Sequence, residues 1–375
     1  MNYSYWELKE WFTNVDFTIV GSGIVGLNCA LELKKQHPKA NVLILEKGML
    51  PQGASTKNAG FACFGSLSEI IDDLNSHTTD EVFNLVDKRW KGLQLLRNNL
   101  GDKNINFQQN KGFELCKNEA FFEDCISKKN EINQLLKPIF NADVFSTSEN
   151  IFRFQKIYNQ YLVNNFEGQI DTGKMAFELL HKVQKLGVKV LNNISVKAFT
   201  EIRNNVEVKT DKITFKTGKL LIATNGFANN LLEEKVKPAR AQVLITKPIK
   251  NLHIKGTFHL DKGYYYFRNI NNRILFGGGR NLDFKTEETS EFGQTKIIQT
   301  QLEEILKTII LPNTDFEIAH RWSGIMGVGF KNLKGQKKAI VKQVSNNVFC
   351  GVRLGGMGVA IGSLVGKDLA NLLDE

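Results

Sequence analysis

Gly21-Ser22-Gly23-Ile24-Val25-Gly26 has the residue types and spacing to hold a pyrophosphate. The six residues follow a strand-like apolar run, Phe17-Thr18-Ile19-Val20, and open a stretch to Lys35 with the apolar spacing of a helix. A second apolar run, Val42-Leu43-Ile44-Leu45, ends in Glu46, twenty residues after Gly26. In a strand–turn–helix–strand unit these residues have separate duties. Gly21 permits the tight turn, Gly23 lets backbone approach the phosphates, and Gly26 lets helix and strand pack closely. The helix N-terminus offers free N–H groups and a partial positive charge to an anion. Glu46 accepts hydrogen bonds from a ribose hydroxyl, and an acid there disfavours a 2′-phosphate. The chemistry is binding of an adenosine diphosphate moiety, as carried by NAD or FAD, with Ile24, Val25 and Lys47 beside it.

The elements that must position this unit alternate along the chain. Residues 70–99 carry a broken helical stripe, 107–115 read as strand, and 120–136 as helix. Ile170-Asp171-Thr172-Gly173-Lys174 introduces an amphipathic helix through Gln184, and Val188–Leu191 has the character of a parallel strand. Strands are expected at 196–199, 206–210, 213–215 and 219–222, the last ending in the turn Ala223-Thr224-Asn225-Gly226. From 242 to 279 the pattern is β-rich, with a hairpin across Asn271-Asn272. A helix over 289–309, a strand at 348–352, a glycine-rich turn and a helix over 359–373 follow. The expected fold class is α/β. A Rossmann-like dinucleotide-binding domain (1–80, 150–240 and 311–375) interleaves with an α+β substrate domain (81–149 and 241–310) on a mainly antiparallel sheet.

Composition bounds the rest. At 375 residues, 42% hydrophobic and 23% charged, the chain is of ordinary globular type and long enough for two domains. No run approaches the roughly 20 apolar residues that span a bilayer. The first twelve residues lack the basic and apolar regions of a secretory signal, and Trp6, Trp11 and Phe12 suit a short helix packed on the domain. Five cysteines without a CxxC pair point to free thiols, a reducing compartment and a cytoplasmic location, with no metal site. Cys29 reads as a core residue. Net charge is +10, with lysines scattered except at 331–342, a solvated hairpin by its composition. No DNA-binding pattern is present, and tRNA stays open as a partner of a basic chain.

Four further segments decide between the two dinucleotides: Gly53-Ala54-Ser55-Thr56-Lys57-Asn58-Ala59-Gly60, Pro238-Ala239-Arg240-Ala241-Gln242, Arg321-Trp322-Ser323-Gly324-Ile325-Met326, and Arg353-Leu354-Gly355-Gly356-Met357-Gly358-Val359-Ala360. With the opening unit, in this order, they resemble the FAD-dependent amine and amino-acid oxidase superfamily, which includes D-amino-acid oxidase, glycine oxidase, sarcosine oxidase and γ-glutamylputrescine oxidase. The resemblance runs from about Asp16 to the C-terminus. It implies FAD, held noncovalently, with segment 53–60 against the flavin and pyrophosphate. Ser55, Thr56 and Asn58 would then donate to the cofactor, beside Ala59 and Gly60. It also implies Val196 near the adenine, Thr224 and Gly226 at the cofactor, and Gly355, Gly356, Met357 and Gly358 under the ring. The following helix would aim its N-terminus at the ring edge where charge develops on reduction. Glycine-rich backbone at both ends of the chain agrees with one long cofactor.

The implied reaction removes a hydride from the carbon beside an amine nitrogen, with flavin N5 as acceptor, then hydrolyses the imine. Oxygen or an electron carrier takes the electrons onward. No obligatory protein base is needed for an uncharged amine. Amino-acid members of the superfamily hold the substrate carboxylate with arginine, but Ile325-Met326-Gly327 stands where one of those arginines falls. Arg353 is then the expected carboxylate contact, with Tyr264 and Tyr266 on the hairpin face that Tyr265 does not share. His259 and His320 are secondary candidates. The expected substrate is a small amine or amino acid, N-substituted substrates being favoured. The alternatives are a 2-hydroxy acid, a tRNA-modifying flavoenzyme, and an NAD-binding protein.

Overall fold

The structure, a computed structural model, describes residues 2–330 and 337–373. A short turn of helix, α1 (Tyr5–Glu7), precedes β1 (Val15–Val20), α2 (Ile24–Gln36) and β2 (Val42–Leu45). Then follow β3 (Phe61–Ala62), α3 (Leu67–Leu74), α4 (Thr79–Leu100), β4 (Gly112–Leu115), α5 (Glu119–Phe140), β5 (Phe145–Glu149), β6 (Gln160–Asn164) and β7 (Gly168–Gln169). The middle of the chain forms α6 (Thr172–Lys185), β8 (Lys189–Leu191), β9 (Val196–Ile202), β10 (Asn205–Thr210) and β11 (Thr214–Ile222). It continues through β12 (Lys237–Thr246), β13 (Thr257–Leu260), β14 (Tyr265–Ile270), β15 (Arg273–Gly278) and α7 (Lys296–Ile305). β16 (Ile318–Val328), β17 (Ile340–Ser345), β18 (Val348–Val352) and α8 (Gly358–Asn371) complete it.

Two sheets carry the fold. The first runs β17-β18-β11-β1-β2-β8, with β18, β11, β1, β2 and β8 mutually parallel. Continuous apolar strands suit a sheet buried on both faces. Val42 and Ile44 face a core shared with α2, α4, α6 and α8, while Leu43 and Leu45 face a second core under the β9–β10 meander. This is the Rossmann-like α/β arrangement expected from the sequence. Phe12 packs on Phe215 at 5.4 Å, whereas Trp6 stays exposed.

The second sheet runs β16-β12-β15-β14-β13-β4-β6-β5 and is antiparallel except for β13 beside β4. β6 and β16 lie in segments that the sequence reading gave to the nucleotide half, yet they hydrogen-bond here. Apolar alternation marks a strand without specifying its partner. One face of this sheet packs on α7 through Leu244, Phe258, Phe267 and Phe276, with Phe258 stacked on Phe267 at 4.6 Å. The other face, with Val243, Leu275, Tyr266 and Trp322, meets Ala59 and Phe61.

Several elements differ from their expected bounds for identifiable reasons. The stripe over 70–99 splits into α3 and α4 because Ser66 with Glu69, and Thr78 with Glu81, each close a capping box. The expected strands at 213–215 and 219–222 are one strand, β11. The helix expected over 289–309 starts only at Lys296 and ends in a π-helical turn, Leu306–Ile310. The hairpin turn holds, with Asn271 and Asn272 both left-handed (φ 47° and 56°), as a two-residue loop that matches strand twist requires. Residues 331–336 of the basic segment lie outside the described residues. Lys337, Lys338 and Lys342 pair with Asp73, Glu81 and Glu234. Truncating the fully buried Phe258 to alanine should cost about 3–5 kcal/mol of stability, read as a lowered urea midpoint with an unchanged slope.

Candidate active site

A cavity of about 530 Å³ opens between the C-terminal ends of β1 and β2 and the inner face of the second sheet. Gly21, Gly23, Ile24 and Val25 form its floor at the start of α2. Gly26 lies one step behind the wall, where a Cβ would stand 2.0 Å from the Gly21 carbonyl oxygen. Only glycine allows that approach of helix to strand. Glu46 lines the cavity and is buried. Its Oε2 accepts from Ser22 N at 3.1 Å and Ser22 Oγ at 2.8 Å, and its Oε1 from Gly48 N at 3.0 Å. Lys47 is exposed, with its ammonium 3.3 Å from the Phe227 ring centroid, and desolvation lowers its pKa. Val196, at the start of β9, lines the same end with Ser195.

The 53–60 loop crosses the cavity. Ser55 Oγ accepts from Ile24 N at 2.8 Å, so this hydroxyl sits on the N-terminus of α2, where a phosphate would sit. Asn58 lines the cavity, but its amide groups hold the loop together. Nδ2 donates to Ser55 O at 2.8 Å, and Oδ1 accepts from Gly60 N at 2.8 Å and Thr172 Oγ1 at 2.9 Å. Thr56 lies outside the wall and donates to Pro51 O at 2.5 Å. The Asn58 amide and the Thr56 hydroxyl are both engaged by hydrogen bonds within the loop and to Thr172. Ala59 and Gly60 line the wall as expected.

From the far side, Thr224 presents a buried Oγ1 that has no hydrogen-bond partner among the described residues. Gly226 is a packing glycine; its Cβ would meet Met326 O at 2.6 Å. Gly355, Gly356, Met357 and Gly358 line the cavity where the chain enters α8, and a Cβ on Gly355 or Gly356 would meet nothing within 4 Å. An orphaned hydroxyl, an anion-binding helix start and a glycine wall suit a long phosphorylated ligand with a planar ring.

The second sheet closes the cavity with Tyr264 and Tyr266, while Tyr265 points into the core behind, as alternation requires. Burial pushes the Tyr266 hydroxyl up to about 12. Arg353 does not line the cavity. It adopts a left-handed conformation (φ 65°) at the end of β18, and its Nε donates to Lys338 O at 3.0 Å. That backbone turn, which a sequence does not announce for arginine, takes the side chain off the wall. Arg280 lines the cavity instead, one residue after Gly277-Gly278-Gly279. Its guanidinium lies 4.9 Å from the Phe284 ring centroid, forms no ion pair among the described residues, and has a pKa lowered by burial. The preceding glycines make room for the neighbouring strand, since a Cβ on Gly277 would meet the Tyr266 ring at 2.8 Å and one on Gly278 would meet Tyr264 O at 2.1 Å.

His259 also reaches the wall, with Nε2 at 2.7 Å from Glu167 Oε1. Burial works against its protonation, but the Glu167 carboxylate outweighs burial and raises its pKa to about 9. His320 instead stacks on Trp322. Cys63 faces the cavity, 3.9 Å from Met357 Sδ, with its thiol pushed up by burial.

A parallel α/β unit opened by a glycine turn, joined to an antiparallel sheet that roofs one elongated cleft, defines a flavoprotein-type oxidoreductase. Residues 16–372 match the family model described as FAD dependent oxidoreductase, and the chain belongs to that family, with FAD as its cofactor. The chain is 21% identical to a probable oxidoreductase, OrdL, of Haemophilus influenzae, over 96% of its length and 83% of the relative's. Its fold is similar to that of glycine oxidase from Geobacillus kaustophilus (TM-score 0.74, 18% identity, 96% and 94% of the two chains). It is also similar to L-proline dehydrogenase from P. horikoshii (TM-score 0.71, 20% identity, 96% and 93%).

Two outcomes follow from this geometry. Gly26→Val should abolish tight FAD binding, raising Kd more than 100-fold on reconstitution, because the side chain would displace the Gly21 turn. The His259–Glu167 pair should stabilise the fold most below the unfolded histidine value of about 6.5, with the contribution lost as pH rises through about 9. Urea unfolding between pH 6.5 and 9.5 should show a falling stability, with a slope of at most roughly 1.4 kcal/mol per pH unit, that His259→Gln lacks.

Proposed function

We propose that this protein oxidises the C–N bond of a small, carboxylate-bearing amine or amino acid. The single observation that carries the reading is Arg280, a partly buried guanidinium on the cleft wall at the start of the 280–282 turn, with no ion pair among the described residues. Its planar fork matches a carboxylate bidentately, and a low-dielectric wall strengthens that pairing. FAD, when bound, supplies the acceptor for the hydride lost from the carbon beside nitrogen. The residues do the rest. Arg280 fixes the acid end of the substrate, and Tyr264 and Tyr266 narrow the space above the 59–61 backbone. The second sheet shields the reacting carbon from water until the imine forms and is hydrolysed.

The named relatives support the substrate class: a glycine oxidase, an L-proline dehydrogenase and an iminodiacetate oxidase share the fold. Glycine, proline and iminodiacetate each carry nitrogen beside a carboxylated carbon. Oxygen or an electron carrier completes the cycle, in a cytoplasmic setting. A tRNA substrate is disfavoured, since Lys337, Lys338 and Lys342 are each paired with a carboxylate. A 2-hydroxy acid would use the same arginine, and a substrate panel separates it from an amine.

The test is anaerobic bleaching of the flavin absorbance near 450 nm by amines, N-substituted amino acids, D- and L-amino acids and hydroxy acids. Arg280→Met should raise KM for carboxylated amines at least 30-fold and leave uncharged amines within a few-fold, while Arg353→Ala leaves both unchanged. Equal losses for charged and uncharged substrates in Arg280→Met would refute the clamp.

A further inference from the structure

Two buried arginines grip the ends of the segment that passes under the second sheet. Arg89, on α4, donates from Nη1 to Phe64 O at 2.8 Å. Arg268, on β14, donates from Nε to Ala59 O and from Nη2 to Ile170 O at 3.0 Å. Between those ends, Ala59, Gly60, Phe61 and Cys63 line the cofactor cleft. Arg268 lies directly beneath the wall: a Cβ on Gly60 (φ 75°) would stand 2.7 Å from Nη2.

Arg268 is the unusual member of the pair. It is 2% exposed and makes no ion pair among the described residues. The acid that acts on it, Asp171, has its Oδ1 bonded to Lys174 N at the start of α6. Burial lowers the guanidinium pKa to about 10, which still leaves it charged at neutral pH. A buried cation that hydrogen-bonds to carbonyls and lacks a contacting acid is costly, and an apolar side chain of the same length would fill the space without that cost. The charge therefore has a use beyond packing, and the nearest open volume is the cleft that the 59–61 backbone borders.

We propose that Arg268 is a positioning residue for FAD, holding the Ala59–Gly60 backbone against the ring while its charge favours the reduced, anionic ring over the oxidised one. Both effects act through the wall, without direct contact. The fork needs two carbonyls on different segments, so lysine keeps the charge and loses the geometry, and methionine loses both.

The experiment uses the purified holoprotein and two variants, R268K and R268M, and requires no substrate. FAD Kd is read from flavin fluorescence on reconstitution of the apoprotein, and the midpoint potential from dye-equilibrated reduction. R268M should bind oxidised FAD at least ten-fold more weakly than the parent. It should bind reduced FAD at least a further ten-fold more weakly, which for a two-electron couple is a fall of about 30 mV. R268K should show the weaker binding with the parent potential. Parent Kd and potential in a folded R268M would overturn the proposal, and a potential in R268K as low as in R268M would overturn its electrostatic part. If R268M does not fold, R268K decides alone: weaker binding at an unchanged potential supports the assignment, and a parent Kd refutes it.

Discussion

The 53–60 loop has to face two sheets at once, and the rest of the structure depends on that constraint. On one side Ser55 Oγ meets the first N–H of α2 at 2.8 Å. On the other, Trp322 Nε1 donates to Lys57 O at 2.9 Å and Arg268 to Ala59 O. Between these contacts Asn58 ties the loop to itself and to Thr172. Apart from Lys57, the loop is built of Gly, Ala, Ser, Thr and Asn, which are polar enough to satisfy all three neighbours and small enough to leave a cleft. Larger side chains would fill the space the cofactor needs.

Charge is distributed on the same plan. The helix start and the glycine wall carry partial charges from backbone, which need no counter-ion and do not reorganise. The full charges around the cleft are treated in different ways. His259 has Glu167 against it, Arg268 has carbonyls, and Arg280 has an aromatic ring. Arg280 lines the cavity and makes no ion pair among the described residues. The cofactor half of the cleft keeps one buried hydroxyl, Thr224 Oγ1, without a partner among the described residues.

Much of this was legible in the sequence. The glycine turn, Glu46 and the apolar strands on either side follow from local chain geometry, and local geometry is what residue types encode. Tyr264 and Tyr266 against Tyr265 followed from the two-residue period of a strand. The Asn271-Asn272 turn followed from the left-handed tolerance of asparagine. What escaped was of two kinds. The division between α3 and α4 was written in the two capping boxes but masked by a continuous apolar stripe. The place of β6 beside β4 and of β16 beside β12 in the second sheet, and the bond from Thr172 to Asn58, depend on partners far along the chain, while Arg353 turns to the Lys338 carbonyl. Arg280 escaped because the strand pattern ends in glycines, and its side chain comes just after them.

The central claim is that segments 21–26, 53–60, 223–226 and 355–358 form one continuous FAD cradle. Hydrogen–deuterium exchange of the apoprotein and the FAD-loaded protein tests it most directly. All four segments should gain protection together on FAD binding. Protection limited to 21–26 and the Glu46 strand end would contradict it, leaving an adenosine site without the flavin half.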